Sequence, residues 1–256
     1  MTLNKATFFV YCHNYMEKQG HSHPISSLIR EINSIFYEMG FAFADGPEIE
    51  SEHYNFDALN VPKDHPARDM QDTFFIKGSD KAVMRTHTSP VQIRYMEQHE
   101  PPFRIIVPGK VFRNEATDAT HEAQFTQVEG LMVDTDVTLA TLKGVLEEFF
   151  SKLLKKETGI RLRPGYFPFV EPGVEVDMQC FKCEGEGCAI CKKTGWIEVM
   201  GAGMVHPNVL QNAGVNSKKW QGFAFGGGIE RLAMLRYGIP DVRLFHSGDL
   251  RFVHQF

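Results

Sequence analysis

The chain has 256 residues, enough for one large domain or two small ones and for a sizeable buried core. Its 43% hydrophobic and 23% charged residues exclude a disordered or fibrous chain. The 27 basic against 32 acidic residues, a net charge of −5, argue against a protein whose main task is gripping a phosphate backbone.

Residues 1–20 are weakly patterned and read as a poorly ordered N-terminal extension, in which the isolated Cys12 is read as unimportant. The apolar patch there falls short of the ~7–15 residues of a secretory core, and no run in the chain approaches the ~20 of a membrane span. A cytoplasmic location is expected. After Pro24, the positions Leu28, Ile32, Ile35, Phe36 and Met39 recur at helical spacing, with Pro24 suited to the first turn and Gly40 to the stop. Residues 45–75 carry three prolines and eight acidic residues without helical or strand period, and predict a long, ordered, functional loop.

From residue 103 short apolar runs predict strands at 103–107, 110–113 and 125–133, punctuated by Pro108-Gly109 and Gly130. Leu142, Val145, Leu146, Phe149 and Leu153 mark a second amphipathic helix, with capping residues at Asp134-Thr135-Asp136 and an end at Gly159. Further strands are predicted at 160–163, 174–179, 196–200 and 222–225, and a last helix from Ile229 to Arg236. Hairpin-linked strands with a few flanking helices make an α+β fold on an antiparallel sheet.

Four of the five cysteines, Cys180, Cys183, Cys188 and Cys191, form a C-x2-C-x4-C-x2-C pattern between two predicted strands. In a reducing compartment this is a metal site before it is a disulfide framework. Four thiolates suit a closed, structural tetrahedral Zn2+ at a hairpin tip, or less readily an iron–sulfur cluster. Two further blocks carry candidate chemistry. Val111-Phe112-Arg113-Asn114-Glu115 runs from a strand into a polar loop, and Phe125–Gly130 returns with Gln127 and Glu129 on one strand face. Alone, these charges are equally an ion-pair cluster. In Gly226-Gly227-Gly228-Ile229-Glu230-Arg231 a strand meets a triple glycine and a helix whose first turn holds an arginine. A cation there opposes the helix dipole and points to a shared anionic ligand, or alone to a hinge with a salt-bridged arginine.

Together, F-R-x-E on a strand and G-x-G-x-E-R opening a helix resemble motifs 2 and 3 of class II aminoacyl-tRNA synthetases. The helix before Pro47 stands where motif 1 would be. Asn55–Asn60, His65–Asp69, Arg85–Pro90, Tyr166–Pro172, Gly201–Pro207 and Gly222–Gly226 look like the α-subunit family of bacterial phenylalanyl-tRNA synthetases, from about residue 21 to 256. The resemblance implies a class II catalytic domain over residues 21–256, with residues 180–191 as a zinc-binding hairpin insertion. It also implies phenylalanine-tRNA ligase activity: ATP-dependent formation of phenylalanyl-adenylate, then transfer to tRNA(Phe).

The same resemblance implies site roles. Arg113 and Arg231 would be catalytic, holding the α- and γ-phosphates. Glu115, His121 and Phe125 would complete the ATP site, with adenine between Phe125 and Arg231. His87, Ser89, Gln127 and Glu129 would surround the ammonium and carboxylate of phenylalanine, Glu129 as counter-charge. Phe167 and Phe169 would contact its ring, and Ala224 would floor the pocket. Taken alone, these last three are ordinary core residues. Glu171 would bind Mg2+ shared with a β-subunit. The implied partners are that β-subunit, in an (αβ)2 heterotetramer, and tRNA(Phe).

The family's N-terminal coiled-coil arm is not matched, so an α-subunit lacking that arm is expected. Thr126 stands where a histidine is common, and Gly227 where a larger residue is usual. Two other readings are carried: a class II relative activating another amino acid, and a non-catalytic synthetase paralogue using the cysteine hairpin for binding.

Overall fold

The structure, a computed structural model, describes residues 20–68, 72–79 and 81–256. The expected N-terminal extension, save Gly20, lies outside the described residues, as do Cys12 and Asp69. Seven strands form one sheet in the order β1-β4-β5-β9-β8-β7-β6. Their ranges are β1 Ala42–Phe43, β4 Phe103–Phe112, β5 Gln124–Asp134, β6 Ile160–Phe167, β7 Val170–Gln179, β8 Trp196–Val205 and β9 Gln221–Gly228. Every pairing is antiparallel except β1 with β4, so the expected α+β architecture is the observed one. A small second sheet pairs β2 Ile49–Ser51 with β3 Ala82–Met84.

Three helices cover one face: α1 Pro24–Glu38, α3 Leu139–Leu154 and α5 Ile229–Tyr237. The stripe predicted on α1 packs there, and Phe36 stacks on Phe149 at 4.6 Å and on Phe225 at 5.5 Å between ring centroids. Gly40 takes φ +79° beyond the helix end, as its place in the sequence predicts. Strand alternation splits β4 between two cores: Ile106 faces these helices, while Ile105 and Val107 face the other side. There they meet Phe56, Leu59, α2 (Ser89–Gln98) and α4 (Pro207–Asn212), which cover only part of that face.

Several expectations need correction. Residues 45–75 are not an aperiodic loop. They hold β2, a single π-turn over His53–Asp57 that buries Asn55 and Phe56, and a 3-10 turn at Pro66–Arg68. The two runs 103–107 and 110–113 are one strand carrying Pro108 within it. The strands from residue 160 onward are longer than predicted because their glycines and prolines lie inside the sheet. Gly130 is required by packing: a Cβ there would sit 2.1 Å from Cζ of Phe225, its cross-strand partner. Gly201 likewise lies under the Phe167 ring, with Cζ 2.8 Å from where a Cβ would be.

Helix α3 is capped by Thr138, not by Asp134–Asp136. The Thr138 hydroxyl accepts from Thr141 N–H while the Thr141 hydroxyl accepts from Thr138 N–H. It ends at Lys155 with φ +53°, four residues before the expected Gly159. Helices α2 and α4 were not predicted at all.

Candidate active site

The uncovered part of the sheet is a cleft of about 930 Å3. Its floor is β5, β9 and β8, its walls the β6–β7 turn, the start of α2 and the loop after β4. Into it come His87, Ser89, Arg113, His121, Phe125, Gln127, Glu129, Phe167, Phe169, Ala224 and Arg231, eleven of the residues singled out by sequence. Glu115 lines an adjoining recess of about 190 Å3 together with Arg113, His121, Phe125 and Arg231. Glu171 lies outside the cleft: its carboxylate is largely exposed and stands 3.3 Å from His206 Nε2.

One end of the cleft is enclosed and fully organised. Glu129 is buried, 3% exposed, on β5. Its Oε1 accepts the Thr88 backbone N–H at 3.0 Å, and its Oε2 accepts the Ser89 hydroxyl at 2.7 Å and the Gln92 amide at 2.8 Å. Burial pushes its pKa up against the lowering effect of these donors. Because Ser89 spends its proton on Glu129, its oxygen is left an acceptor toward the cleft. His87 lies beside Phe169, with ring centroids 6.1 Å apart. Burial first, and the Arg113 guanidinium second, lower its pKa to about 3, so the imidazole is neutral. Its Nδ1 and the Oε1 of Gln127 are buried without a hydrogen-bond partner. Two such atoms lining one cleft, without a partner among the described residues, are what a polar ligand would satisfy.

Phe167 and Phe169 stack at 6.1 Å across the β6–β7 turn. That turn is buttressed by Asn60, whose Nδ2 donates to the Pro168 carbonyl at 2.8 Å. Ala224, on the same sheet face as Gln127 and Glu129, leaves the floor low between them.

The other end is open and cationic. Arg113 donates from Nε to the Thr86 carbonyl at 3.3 Å and lies 5.1 Å over the Phe125 ring, so Phe125 positions this arginine as well as lining the cleft. Its nearest carboxylate is Glu115, at 3.9 Å. His121 is held by Asp118 at 3.0 Å on the loop between β4 and β5. Arg231 is exposed, and its side chain forms no ion pair among the described residues, so it is not the salt-bridged arginine of a glycine hinge. Its neighbour Glu230 is instead buried and accepts the Thr126 backbone N–H through both oxygens, at 2.8 and 2.9 Å. Burial pushes this carboxyl's pKa up, and its role is to tie α5 to β5.

Sequence reasoning missed Gln92, which completes the Glu129 cradle, and Glu175, Lys192 and Glu198, which line the open end. No spacing announces them, because their place depends on strand register and on the cysteine turn. Glu175 and Glu198 both pair with Arg163 at 2.8 Å. Their hard oxygen donors are the kind Mg2+ takes alongside nucleotide phosphates, so these two, with Glu171 outside the cleft, are the residues that could hold it.

The four cysteines converge between β7 and β8, with their sulfurs all within 4.8 Å of one another. Cys180–Cys188, Cys183–Cys191 and Cys188–Cys191 are 3.8, 3.7 and 3.8 Å apart. A tetrahedron with metal–sulfur bonds of ~2.3 Å requires sulfur separations of about 3.8 Å. Backbone N–H groups of Cys188 and Gly195 donate to Cys191 Sγ at 3.0 and 3.3 Å, and that of Gly187 to Cys183 Sγ at 3.2 Å, as thiolates would require. The donor set and its spacing fit a closed metal site.

The signature described as tRNA synthetases class II core domain (F) matches residues 10–256. Phenylalanine–tRNA ligase α subunits of Bacillus licheniformis and Geobacillus thermodenitrificans are each 57% identical over 241 residues, covering 93% of this chain and 70% of the relative. That of Bacillus subtilis is 56% identical over 239 residues, covering 93% and 69%. Among solved structures, the pyrrolysyl-tRNA synthetase of Desulfitobacterium hafniense shares the fold, with a TM-score of 0.64 and 20% identity over 88% of this chain and 74% of that one. The antiparallel sheet, the arginine opening α5 and these matches place the chain among the class II aminoacyl-tRNA synthetases, in the family of phenylalanine–tRNA ligase α subunits.

Proposed function

We propose that the cleft activates L-phenylalanine at its enclosed end and ATP at its open end, and then passes the acyl group to tRNA(Phe). The chain is a phenylalanine–tRNA ligase subunit, an ATP- and Mg2+-using enzyme with a β-subunit partner and tRNA as substrate. What supports this assignment of ends is the pairing of two buried polar atoms, His87 Nδ1 and Gln127 Oε1, with an arginine across one cleft, all three without hydrogen-bond or ion-pair partners for these groups among the described residues.

In the first step a carboxylate oxygen of phenylalanine attacks the α-phosphorus and pyrophosphate leaves. In the second, a terminal tRNA hydroxyl attacks the acyl carbon and AMP leaves. Neither step needs a covalent enzyme intermediate; positioning and electrostatics suffice. Arg113, fixed by the Thr86 carbonyl and the Phe125 ring, faces the charge that develops on the α-phosphoryl group. Arg231 takes the outer phosphate and one face of adenine, and Phe125 the other face; His121 and Glu115 border the nucleotide.

Glu129 and the Ser89 oxygen receive the ammonium, and His87 and Gln127 the remaining polar edge of the amino acid. Phe167 and Phe169 meet the ring, each pair worth roughly 0.5–1.5 kcal/mol beyond area burial. Mg2+ bound with ATP neutralises phosphate charge. Glu175 and Glu198 offer oxygens for it, and Glu171, outside the cleft, is assigned to an ion shared with the β-subunit. The cysteine knuckle is assigned a structural Zn2+, with all four positions filled by protein. The assembly is an (αβ)2 heterotetramer in the cytoplasm; among the described residues no helix is long and apolar enough to cross a membrane.

Phenylalanine-dependent ATP–pyrophosphate exchange by the chain co-purified with its β-subunit tests the reading. Exchange that requires phenylalanine and vanishes in Arg231→Ala is the expected result. Exchange driven by a different amino acid would assign another substrate. No exchange from a folded, metal-replete complex would make the chain a non-catalytic paralogue.

A further inference from the structure

We propose that Lys192, delivered into the cleft by the cysteine knuckle, is a ligand of the β- and γ-phosphoryl groups of ATP, and so of the pyrophosphate that leaves; this rests on the adenylation reading above. Lys192 is the single knuckle residue among those lining the cleft, which Thr120, His121, Arg113 and Arg231 also line. The register places it there. Gly201 of β8 pairs with Gly226 of β9, and the strands run antiparallel. Glu198–Met200 therefore continue alongside Gly227 and Gly228 toward the start of α5, and the knuckle preceding β8 closes that side. Val205, at the other end of β8, lines the cleft near Val209 and the amino-acid site.

The charge around it favours an anion. The carboxylates lining this end, Glu175 and Glu198, are both engaged by Arg163 at 2.8 Å. The side chain of Lys192, like that of Arg231, forms no ion pair among the described residues. Two cations from different elements thus line one cavity, while Arg163, which also meets Asp177, holds both local carboxylates.

The backbone at Lys192 is held rather than free. Lys192 and Lys193 both take left-handed φ, +51° and +65°, a conformation that non-glycine residues adopt at a cost and that surrounding structure must impose. Here the cysteine loop imposes it: Lys192 N–H donates to the Ala189 carbonyl at 3.2 Å, Lys193 N–H to Cys188 at 2.8 Å and Thr194 N–H to Cys191 at 3.0 Å. The turn that carries two of the four sulfurs therefore sets where Lys192 leaves the knuckle. A nucleic-acid backbone calls for a run of cations, whereas the knuckle mixes Lys182, Lys192 and Lys193 with Glu184 and Glu186. A compact multi-anion meeting converging point charges inside the cleft is the better match.

The test uses the αβ holoenzyme with Lys192→Met, Lys192→Arg and Lys192→Gly. It measures phenylalanine-dependent exchange and, by calorimetry, binding of ATP and of inorganic pyrophosphate. Loss of one charge-assisted contact raises the KM for ATP and pyrophosphate, and their Kd, about tenfold in Lys192→Met. Lys192→Arg restores most of it, and the KM for phenylalanine, bound metal and melting temperature stay at wild-type values. Lys192→Gly separates charge from backbone, since it relaxes the left-handed turn while removing the ammonium; it matches Lys192→Met.

Wild-type nucleotide constants in Lys192→Met, or a Lys192→Gly that behaves as wild type, overturn the proposal. So does a defect confined to tRNA charging, which would assign the lysine to tRNA. Absence of exchange in the wild type, with calorimetry still showing weakened pyrophosphate binding in the variant, faults the adenylation reading and leaves the phosphate contact standing.

Discussion

The two ends of the cleft solve recognition by opposite means. At the end proposed for phenylalanine, polar groups are buried and mutually bonded: a neutral His87, a Glu129 held by three donors, and two atoms left over for a ligand. The end proposed for the nucleotide is lined by Arg113, Arg231, His121 and Lys192, of which Arg231 and Lys192 form no ion pair among the described residues. Every amino acid offers the same ammonium and carboxylate, so discrimination among them has to come from the shape of the side-chain pocket and from polar atoms that go unpaired with the wrong ligand. ATP offers abundant charge, which exposed cations bind even when water reaches them. The first end should therefore resist salt and respond to changes of volume; the second should respond to charge.

The largest expected effect is at the charged end. Arg231→Ala removes a cation with no ion-pair partner among the described residues, and should lower the rate of phenylalanine-dependent exchange about 100-fold or more. The KM for phenylalanine should change little. A shift confined to that KM would break the division between the ends. Next is Ala224→Val at the enclosed end. Added methyl groups on the pocket floor should raise the KM for phenylalanine by about 10- to 100-fold, as overpacking of ~1–3 kcal/mol does elsewhere, with ATP constants unaltered. Paired steady-state measurements on the two variants decide whether the ends are separable.

These ends were not equally legible in the sequence. Arg113, Glu129 and Arg231 stood out because strand alternation and an arginine against a helix dipole are local signals, sharpened by the family resemblance. Helices α1 and α3 were legible from their apolar stripes. Helix α2 was not, because its buried side includes Ser89 and Gln92, polar residues that serve Glu129 rather than a core. The strands read shorter in the sequence because Pro108-Gly109 and Gly201 look like breaks, although the first pair lies within β4 and Gly201 is small to admit the Phe167 ring. The π-turn at His53–Asp57 buries an asparagine bonded to Thr86, a contact across the chain that no local period records. Glu175, Glu198 and Lys192 were invisible for the same reason: only the β7–β8–β9 register brings them to the cleft.

A third prediction concerns protonation at the enclosed end. The His87 pKa is about 3 in the fold against an ordinary value of 6.5, so in between the unfolded chain binds a proton that the folded chain refuses. Stability from this group is complete above pH 6.5 and declines as pH falls toward 3, by at most about 1.4 kcal/mol per pH unit. Glu129 works in the opposite sense, because its raised pKa favours the folded state at low pH and loses that advantage as pH rises. Urea denaturation at pH 5, 6 and 7 should show a shallower fall in stability for His87→Gln than for the wild type. Equal slopes would mean that the imidazole takes up its proton as readily in the fold as in the unfolded chain, and that the enclosed end does not keep it neutral.

The smallest effect belongs to His121, and it tests the charged end at its margin. The ring is over half exposed and is already tethered to Asp118 at 3.0 Å. An exposed, tethered side chain gives little net attraction, since water and ions screen it and its tether competes with the ligand. His121→Ala should therefore raise the KM for ATP no more than about threefold at low salt, and the difference should fade above physiological ionic strength. Arg231→Ala should keep more of its defect under the same salt, because in the proposed function this arginine contacts phosphate directly and it forms no ion pair among the described residues. If the His121 variant instead lost as much as the arginine variant and was insensitive to salt, His121 would be a close phosphate ligand that releases Asp118 when ATP binds. The open end would then be assembled by its substrate, in contrast to the preformed pocket for phenylalanine.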